Sequence, residues 1–140
     1  MPFVDVLIHS VWATKRREPY LTLEIKKRVI DHIKENSFSK GIFIDTINGY
    51  VDHLHCLFGL NADMSISKVL QLLKGESSYW INKNQLTKSR FEWSDEYFAK
   101  SIGDSEIDKI RSYIRNQEIH HKGQPYIRKC EEFLEGFTKC

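Results

Sequence analysis

The order in which the spacing of apolar residues changes along the chain constrains the fold more than any other feature of the sequence. Stretches with alternating apolar residues, the period of a strand, are separated by stretches with apolar residues three and four positions apart, the period of a helix. The predicted strands span residues 3–12, 42–48, 53–60 and 93–102. The predicted helices span residues 23–36, from 65 to about 81, and from 105 to about 121.

This strand-helix-strand-strand-helix-strand order predicts an α+β fold. Connection rules favour a ferredoxin-like antiparallel sheet with two helices on one face and the first and third strands in its centre. The turn that begins at Asn48 and Gly49 joins the second and third strands as a hairpin. The third helix is additional to this unit, and the tail is expected to be irregular, with a short helical turn near Glu131. No long linker interrupts the 140 residues, so we expect one domain over residues 1–140.

Composition narrows the possible functions. Hydrophobic residues make up 41% and charged residues 29%, a balance typical of globular domains. The net charge of only +2 means that any nucleic-acid binding must be local. The three cysteines show no metal-type spacing, and their odd number favours a reducing compartment. There is no apolar run long enough for a membrane span and no basic leader, so a cytoplasmic location without membrane contact is expected.

A His-Leu-His sequence occupies the third predicted strand. Side chains alternate along a strand, so His53 and His55 share one face, while Leu54 and Cys56 point to the other and pack under a helix. Imidazoles about 6 to 7 Å apart on one strand can converge on a single ion. Imidazole alone suits zinc, and nearby oxygen ligands or phosphate would also permit Mg²⁺ or Mn²⁺. Two half-buried histidines that hydrogen-bond to their neighbours would give the same pattern.

The third predicted helix places a tyrosine and an amide side by side. Its apolar stripe consists of Ile107, Ile110 and Ile114. Tyr113 and Gln117 are four residues apart, so they lie together on one flank of that stripe, and His120 follows on the same flank. A nearby cation and a polarised phosphate would help a tyrosine hydroxyl to act as a nucleophile. Gln117 could supply an amide oxygen to a metal, with His120 as a competing ligand; alternatively, Tyr113 is an ordinary aromatic residue at the helix edge.

Five segments together resemble the single-tyrosine transposases of the smallest bacterial insertion sequences (the IS-200-like family), which are members of the histidine-hydrophobic-histidine, or HUH, nuclease superfamily. In chain order they are IHSVWATKR (8–16), GYVDHLH (49–55), LKGESS (73–78), the stretch 93–103 that ends in YFAKSIG, and YIRNQ (113–117). Each segment alone is weakly informative. Their shared order and spacing cover nearly the whole chain and make the resemblance specific.

The resemblance implies a site and a reaction. His53 and His55 would be metal ligands, Gln117 would be the third ligand, and Tyr113 would be the nucleophile. Such enzymes cut single-stranded DNA that carries hairpins near the element ends, and they become joined to the 5′ phosphate through the tyrosine. The freed 3′ hydroxyl can later rejoin the strands, so no nucleotide cofactor would be needed. The cofactor that the resemblance implies is a divalent metal, Mg²⁺ or Mn²⁺. The resemblance also implies a homodimer in which the tyrosine helix reaches the metal site of the partner chain.

Basic residues near these segments are candidates for DNA contact. These are Lys15, Arg16, Arg17, Lys74 and Lys100. Tyr79, Trp80 or Tyr97 could stack on exposed bases, although Trp80 aligns with the apolar stripe of its helix and fits the core better. His9 alternates with apolar residues on the first strand and is expected to be packed behind the site rather than to bind the metal.

Two other functions remain open from the sequence. A non-catalytic RNA- or DNA-binding module of the RRM type would need aromatic residues on an open sheet face, where this sequence has histidines. A metal-dependent phosphoesterase that uses water as its nucleophile would keep His53 and His55 and would have no need of Tyr113. The leading prediction is a DNA strand transferase.

Overall fold

The computed structural model describes residues 3–117 and 125–136 of the chain, with the side chains of 125–129 and 136 outside the description. The strands are β1 (Leu7–Ala13), β2 (Phe43–Tyr50), β3 (His53–Gly59) and β4 (Phe98–Ile102). The helices are α1 (Leu23–Ser39), α2 (Ile66–Lys83), α3 (Ile107–Arg115) and α4 (Pro125–Gly136). Short 3₁₀ turns occupy Lys15–Arg17 and Asp104–Glu106. None of the helices in these ranges is long and apolar enough to cross a membrane.

The four strands form one antiparallel sheet in the order β2-β3-β1-β4. The first and third strands are central, so the predicted α+β class and ferredoxin-like arrangement are confirmed. In the register of the sheet, Val11 of β1 lies opposite His55, and Asn48 of β2 lies opposite His55 on the other side. The histidine strand is therefore paired along both edges, which fixes the direction of its side chains.

Helices α1 and α2 cover one face of the sheet and close the main core. The sheet contributes Ile8, Trp12, Leu54, Cys56 and Phe58, and the helices contribute Val29, Ile30, Ile33, Val69, Leu70, Leu73 and Ile81. Thr22 and Ser65 cap the two helices by accepting hydrogen bonds from backbone N–H groups three residues later, as the sequence predicts. The alternation of β3 thus leaves its histidines on the opposite face.

Helices α3 and α4 cover that opposite face. Ile110 and Ile114 of α3 pack against Leu57 of β3, and Cys130 and Leu134 of α4 pack in the cluster that includes Val11 and Ala13 of β1. The sheet of the same chain therefore supplies a surface for the apolar stripe of the third helix.

Several predicted boundaries change. The first strand begins at Leu7, because the ladders to β3 and β4 start there and Phe3 is 90% exposed. The fourth strand begins at Phe98, and Trp93 forms only an isolated bridge to Thr14. The third helix starts after a 3₁₀ turn that contains Ser105, without the expected side-chain cap. Its predicted continuation through 118–121 lies outside the described residues.

The prediction of an irregular tail was wrong, because residues 125–136 form the 12-residue helix α4. Cys130 and Leu134 are buried four residues apart on one side of this helix. Packing against the sheet therefore stabilises a helix that intrinsic preference alone did not indicate.

An ion pair joins α3 to the edge strand β2. Arg111 donates from Nε to Asp45 Oδ1 at 2.9 Å and from Nη2 to Asp45 Oδ2 at 2.6 Å. The hydrogen bond from Arg111 holds the pKa of the Asp45 carboxyl below its ordinary value. A carboxylate whose pKa is lowered by folding adds stability above its unfolded pKa, and this stability is lost as the pH falls through the folded pKa.

We expect Asp45→Asn to lower the free energy of unfolding at pH 7, with the difference from wild type shrinking below about pH 4 as Asp45 becomes protonated. Urea unfolding at a series of pH values measures this. Asp31→Asn is the control, because Asp31 pairs with Lys27 on an exposed helix surface and the loss should be small. An Asp45→Asn loss that stays constant down to pH 2 would contradict the assignment.

Candidate active site

His53 and His55 lie on the same face of β3, beneath α3, as the alternation predicts. Their ring centroids are 5.1 Å apart, and the two residues are 7% and 0% exposed, respectively. Both histidines are thus more deeply buried than the half-buried pair that the sequence left open as an alternative. Their surroundings are polar, because His9 and Asp52 lie within hydrogen-bond distance of them and Gln117 Oε1 lies 3.4 Å from His53 Nε2.

Asp52 orients the ring of His53. The Nδ1 atom of His53 lies 2.7 Å from Asp52 Oδ1, and Arg17 Nε donates to Asp52 Oδ2 at 2.9 Å. Burial alone would raise the pKa of Asp52, but the hydrogen bonds from His53 and Arg17 outweigh it and leave that pKa lowered. An ionised carboxylate only accepts hydrogen bonds, so His53 donates to Asp52 from Nδ1. In the tautomer protonated only there, Nε2 carries a lone pair that can bind a metal.

His9 lies behind His55. Its Nε2 atom is 3.0 Å from His55 Nδ1. Burial lowers the pKa of His9 to about 3 and also lowers that of His55, which the neighbouring His9 and His53 depress further. Both rings are therefore neutral near pH 7. The expectation that His9 is packed behind the site agrees with this position.

The remaining nitrogen of His55, Nε2, is buried and has no hydrogen-bond partner among the residues that the structure describes. A buried polar atom left unpaired costs roughly 1–3 kcal/mol, so such an atom calls for a ligand. When His55 Nδ1 donates to His9, Nε2 carries a lone pair and can bind a metal ion.

Tyr113 and Gln117 complete the site from α3 and the residues after it. The Tyr113 ring centroid lies 5.3 Å from that of His55, edge-on at 86°. Gln117 donates from its amide nitrogen to the Tyr113 carbonyl at 2.7 Å, which leaves its Oε1 atom 3.4 Å from His53 Nε2. Burial, with smaller contributions from Cys130 and Glu131, raises the pKa of the Tyr113 phenol, which is therefore protonated at rest.

This set of donors fits a small divalent ion. His53 Nε2 and Gln117 Oε1 lie 3.4 Å apart, the His55 ring centroid is 5.1 Å from that of His53, and the buried His55 Nε2 is the atom that most needs such a ligand. Within the described residues, no cluster of three His, Cys, Asp or Glu side chains is placed to hold a metal. The amide oxygen of Gln117 is the oxygen donor nearest to His53 Nε2 that the structure records. His120, the alternative ligand, lies outside the described residues.

The five candidate DNA-binding residues occupy different environments. Lys15 and Arg16 are exposed at the 3₁₀ turn after β1, where Lys15 also pairs with Glu92 at 2.8 Å. Lys100 is exposed on β4, opposite His9 in the register. Lys74 donates to the carbonyl oxygen of Ser94 at 2.7 Å and to that of Asp95 at 3.4 Å. DNA contact stays a prediction for Lys15, Arg16, Lys74 and Lys100, and Lys74 also has structural partners.

Arg17 differs from its basic neighbours. Its side chain is only 18% exposed, and its guanidinium binds Asp52 and the Leu134 carbonyl. The sequence predicts a DNA contact for Arg17, which stays a prediction, whereas the structure gives Arg17 protein partners. Sequence reasoning missed Asp52, whose position directly before the first histidine was the available signal. Trp80, expected in the core, is half-buried and stacks on His32 with ring centroids 4.1 Å apart.

The site is defined by a ferredoxin-like sheet that carries paired histidines on a central strand. A helix with a tyrosine covers these histidines, and an amide follows directly after that helix. The sequence matches the family described as "Transposase IS200 like" over residues 3–117, and the chain belongs to this family. The resemblance seen in the sequence is therefore confirmed.

Individual relatives are distant. The ISDra2 transposase TnpA of Deinococcus radiodurans is 23% identical over 114 residues, which cover 78% of this chain and 81% of the relative. A crystal structure described as a transposase from Deinococcus radiodurans matches with a TM-score of 0.67 and 22% identity, over 83% of this chain and 93% of the other. A REP-associated tyrosine transposase bound to a REP hairpin matches with a TM-score of 0.55 and 16% identity, over 81% and 68% of the two chains. The two structures support the fold.

Proposed function

We propose that this transposase cuts and rejoins single-stranded DNA, with Tyr113 as the nucleophile and His53, His55 and Gln117 as ligands of Mg²⁺ or Mn²⁺. The observation that carries the proposal is the unpartnered, buried Nε2 atom of His55 next to the ring of Tyr113. A structural histidine pair would normally satisfy its nitrogens within the protein. A metal ligand beside a nucleophile instead keeps one nitrogen available.

In the first step, Tyr113 Oη forms a bond to phosphorus while the bond from phosphorus to the 3′ oxygen breaks. The product is a 5′-phosphotyrosine and a free 3′ hydroxyl, and the phenol proton passes to the leaving oxygen or to solvent. Bound metal would supply Lewis acidity at the scissile phosphate. Because burial raises the pKa of Tyr113, the phenol must lose its proton during the attack rather than before it. Attack of a 3′ hydroxyl on the phosphotyrosine reverses the step and rejoins the strands.

The burial of Tyr113 bears on whether the DNA substrate is single-stranded or duplex. Tyr113 is 6% exposed and lies against the sheet, so a stiff duplex could not bring a phosphate to it without distortion. We infer that the target phosphate lies in single-stranded DNA and that hairpins position it. The related transposase bound to a REP hairpin supports a DNA hairpin as the partner.

The assembly that we propose is a homodimer with shared sites. The structure describes one chain, in which Tyr113 and Gln117 lie beside the histidines of that chain. Exchange of α3 between two chains would place each tyrosine helix on an identical surface, so its packing contacts would be conserved. Sharing between chains thus stays a prediction from the family resemblance.

The two alternative functions are less well supported. An RRM-type module binds nucleic acid on an open sheet face, but here α3 and α4 cover the face that carries the histidines. A phosphoesterase that uses water would not require a buried tyrosine edge-on to a metal ligand. Neither alternative predicts a covalent bond to DNA.

Covalent trapping tests the proposed function. Wild-type protein with Mn²⁺ and a single-stranded hairpin oligonucleotide should form a protein–DNA adduct that survives denaturing electrophoresis. Tyr113→Phe should form none, because the attacking oxygen is missing. Tyr79→Phe is the matched control, since Tyr79 is 61% exposed on α2, away from the site.

Mass spectrometry of the digested adduct should locate the nucleotide on Tyr113. An adduct that persists in Tyr113→Phe, or cleavage by wild type without any adduct, would favour the water-using alternative. Blunt duplex of the same sequence should react little.

A further inference from the structure

Arg17 lies at the junction of three elements. Its Nε donates to Asp52 Oδ2 at 2.9 Å, and its Nη1 donates to the carbonyl oxygen of Leu134 in α4 at 2.6 Å. The side chain is 18% exposed, which is unusual for an arginine in a surface turn. One guanidinium therefore ties the C-terminal helix to the turn between β2 and β3.

The backbone around Arg17 is built for this contact. Arg16 and Arg17 have φ angles of 58° and 55°, in the left-handed region that side chains other than glycine rarely adopt. Such a conformation costs about 1 kcal/mol or more per residue and persists where the surroundings fix it. Thr14 supplies part of that support, because its backbone N–H donates to the Asp52 carbonyl at 2.9 Å.

A continuous path of hydrogen bonds then leads to the metal site. The Leu134 carbonyl accepts from Arg17, Arg17 donates to one oxygen of Asp52, and the other oxygen of Asp52 lies 2.7 Å from His53 Nδ1. With both of its oxygens engaged, the Asp52 carboxylate cannot rotate without breaking a charged hydrogen bond. The direction of the His53 Nε2 lone pair depends on that carboxylate.

We propose that Arg17 is a positioning residue that fixes Asp52, and through it His53, and so couples metal affinity to the docking of α4. The inference rests on the proposed function in one respect, namely that His53 binds a divalent ion. It departs from the sequence-based expectation that Arg17 contacts DNA phosphates. An arginine suits this role because its planar fork holds two acceptors in fixed directions, which a lysine cannot do.

Metal affinity measured without DNA tests the role. The full chain is titrated with Mn²⁺ alone, and free Mn²⁺ is followed by electron paramagnetic resonance. Arg17→Ala should weaken Mn²⁺ binding about 10- to 100-fold, the usual effect of removing a group that orients a metal ligand. Arg16→Ala removes the same charge from the adjacent, exposed position and should leave Mn²⁺ affinity unchanged. Circular dichroism verifies that both variants are folded.

Hairpin binding without metal separates this role from phosphate contact. Arg17→Ala should bind a single-stranded hairpin oligonucleotide as wild type does, in buffer with a chelator and at fixed salt. Weaker hairpin binding together with unchanged Mn²⁺ affinity would overturn the proposal and restore Arg17 as a DNA contact.

The coupling to α4 has its own test. Leu134→Ala removes a buried side chain from the cluster beneath α4 and should weaken Mn²⁺ binding by less than Arg17→Ala does. The double variant should bind Mn²⁺ as weakly as Arg17→Ala alone, because both changes act through one path. If the double variant instead loses Mn²⁺ affinity by the product of the two single losses, the proposed coupling is overturned. If Leu134→Ala does not fold, Phe133→Ala loosens the same helix at its contact with Phe98.

His53→Ala distinguishes failure of this inference from failure of the proposed function. If His53→Ala binds Mn²⁺ as tightly as wild type does, the proposed metal site is wrong. If binding depends on His53 and Arg17→Ala leaves it unchanged, only the role of Arg17 is wrong.

Discussion

His53→Ala is expected to abolish DNA cleavage while the protein stays folded. The change removes one of the two imidazole donors, and Asp52 keeps its hydrogen bond to Arg17. Lewis-acid stabilisation of the transition state is worth several kcal/mol, so the loss in rate should be at least about 10³-fold. Cleavage of a labelled single-stranded hairpin oligonucleotide measures the rate, and circular dichroism measures folding.

His55→Ala should lose the same activity but should also be less stable. His55 is fully buried, and its removal leaves a cavity and deletes the hydrogen bond to His9 Nε2. Large-to-small changes at buried sites commonly cost about 2–5 kcal/mol. Urea unfolding of both variants would measure the difference.

His32→Ala is the matched control for both histidine changes. His32 is a half-buried histidine of α1 that hydrogen-bonds to Glu76 and stacks on Trp80, both on α2. These two helices cover the face of the sheet opposite to the one that carries His53 and His55. It should cleave at the rate of wild type. Cleavage that survives in folded His53→Ala protein would argue against a metal site on β3.

The sequence predicts best those features that depend on local periodicity. The alternation around His53 and His55 places both on one face, and the order of strands and helices leads to the sheet topology. The four-residue spacing of Tyr113 and Gln117 likewise brings both to the site. In each case the paired side chains lie within four residues of each other in the sequence.

Features that depend on register between distant segments could not be predicted in the same way. His9 meets His55 because β1 pairs with β3 in a register that places them diagonally, with His9 opposite Leu57. Arg17 meets the Leu134 carbonyl across more than a hundred residues of sequence. A charged residue in a turn gives the same sequence signal whether it contacts solvent, DNA or a buried carboxylate.

The spacing of apolar residues in the sequence does indicate helix α4. Ile127, Cys130 and Leu134 are spaced three and four residues apart, the pattern of a helix with one apolar face. The nearby Gly123 and Pro125 favoured a loop, but proline is tolerated in the first turn of a helix. Pro125 is the first residue of α4.

Exchange of the tyrosine helix between chains is the remaining large-effect prediction. In one chain α3 is held by Ile110 and Ile114 against the sheet, by the ion pair of Arg111 with Asp45, and by Asn48, which donates to a helix carbonyl at 2.9 Å. A two-fold dimer presents the identical surface on the partner, so exchange would replace each of these contacts by its equivalent. The geometry of one chain is therefore compatible with a site complete in one chain and with a site shared by exchange of α3. The two arrangements differ in which chain supplies Tyr113.

Mixing two inactive proteins decides between them. Tyr113→Phe lacks the proposed nucleophile and His53→Ala lacks a proposed metal ligand, so each should be inactive alone. In a mixed dimer with exchanged helices, one site combines an intact His53 with an intact Tyr113, and activity should recover to at most about half that of wild type per mixed dimer, because the other site lacks both groups. With sites complete in one chain, every site lacks one group and no activity returns. Subunit exchange is verified first by mass spectrometry of the mixed species, so that an absence of recovery shows that each chain uses its own tyrosine.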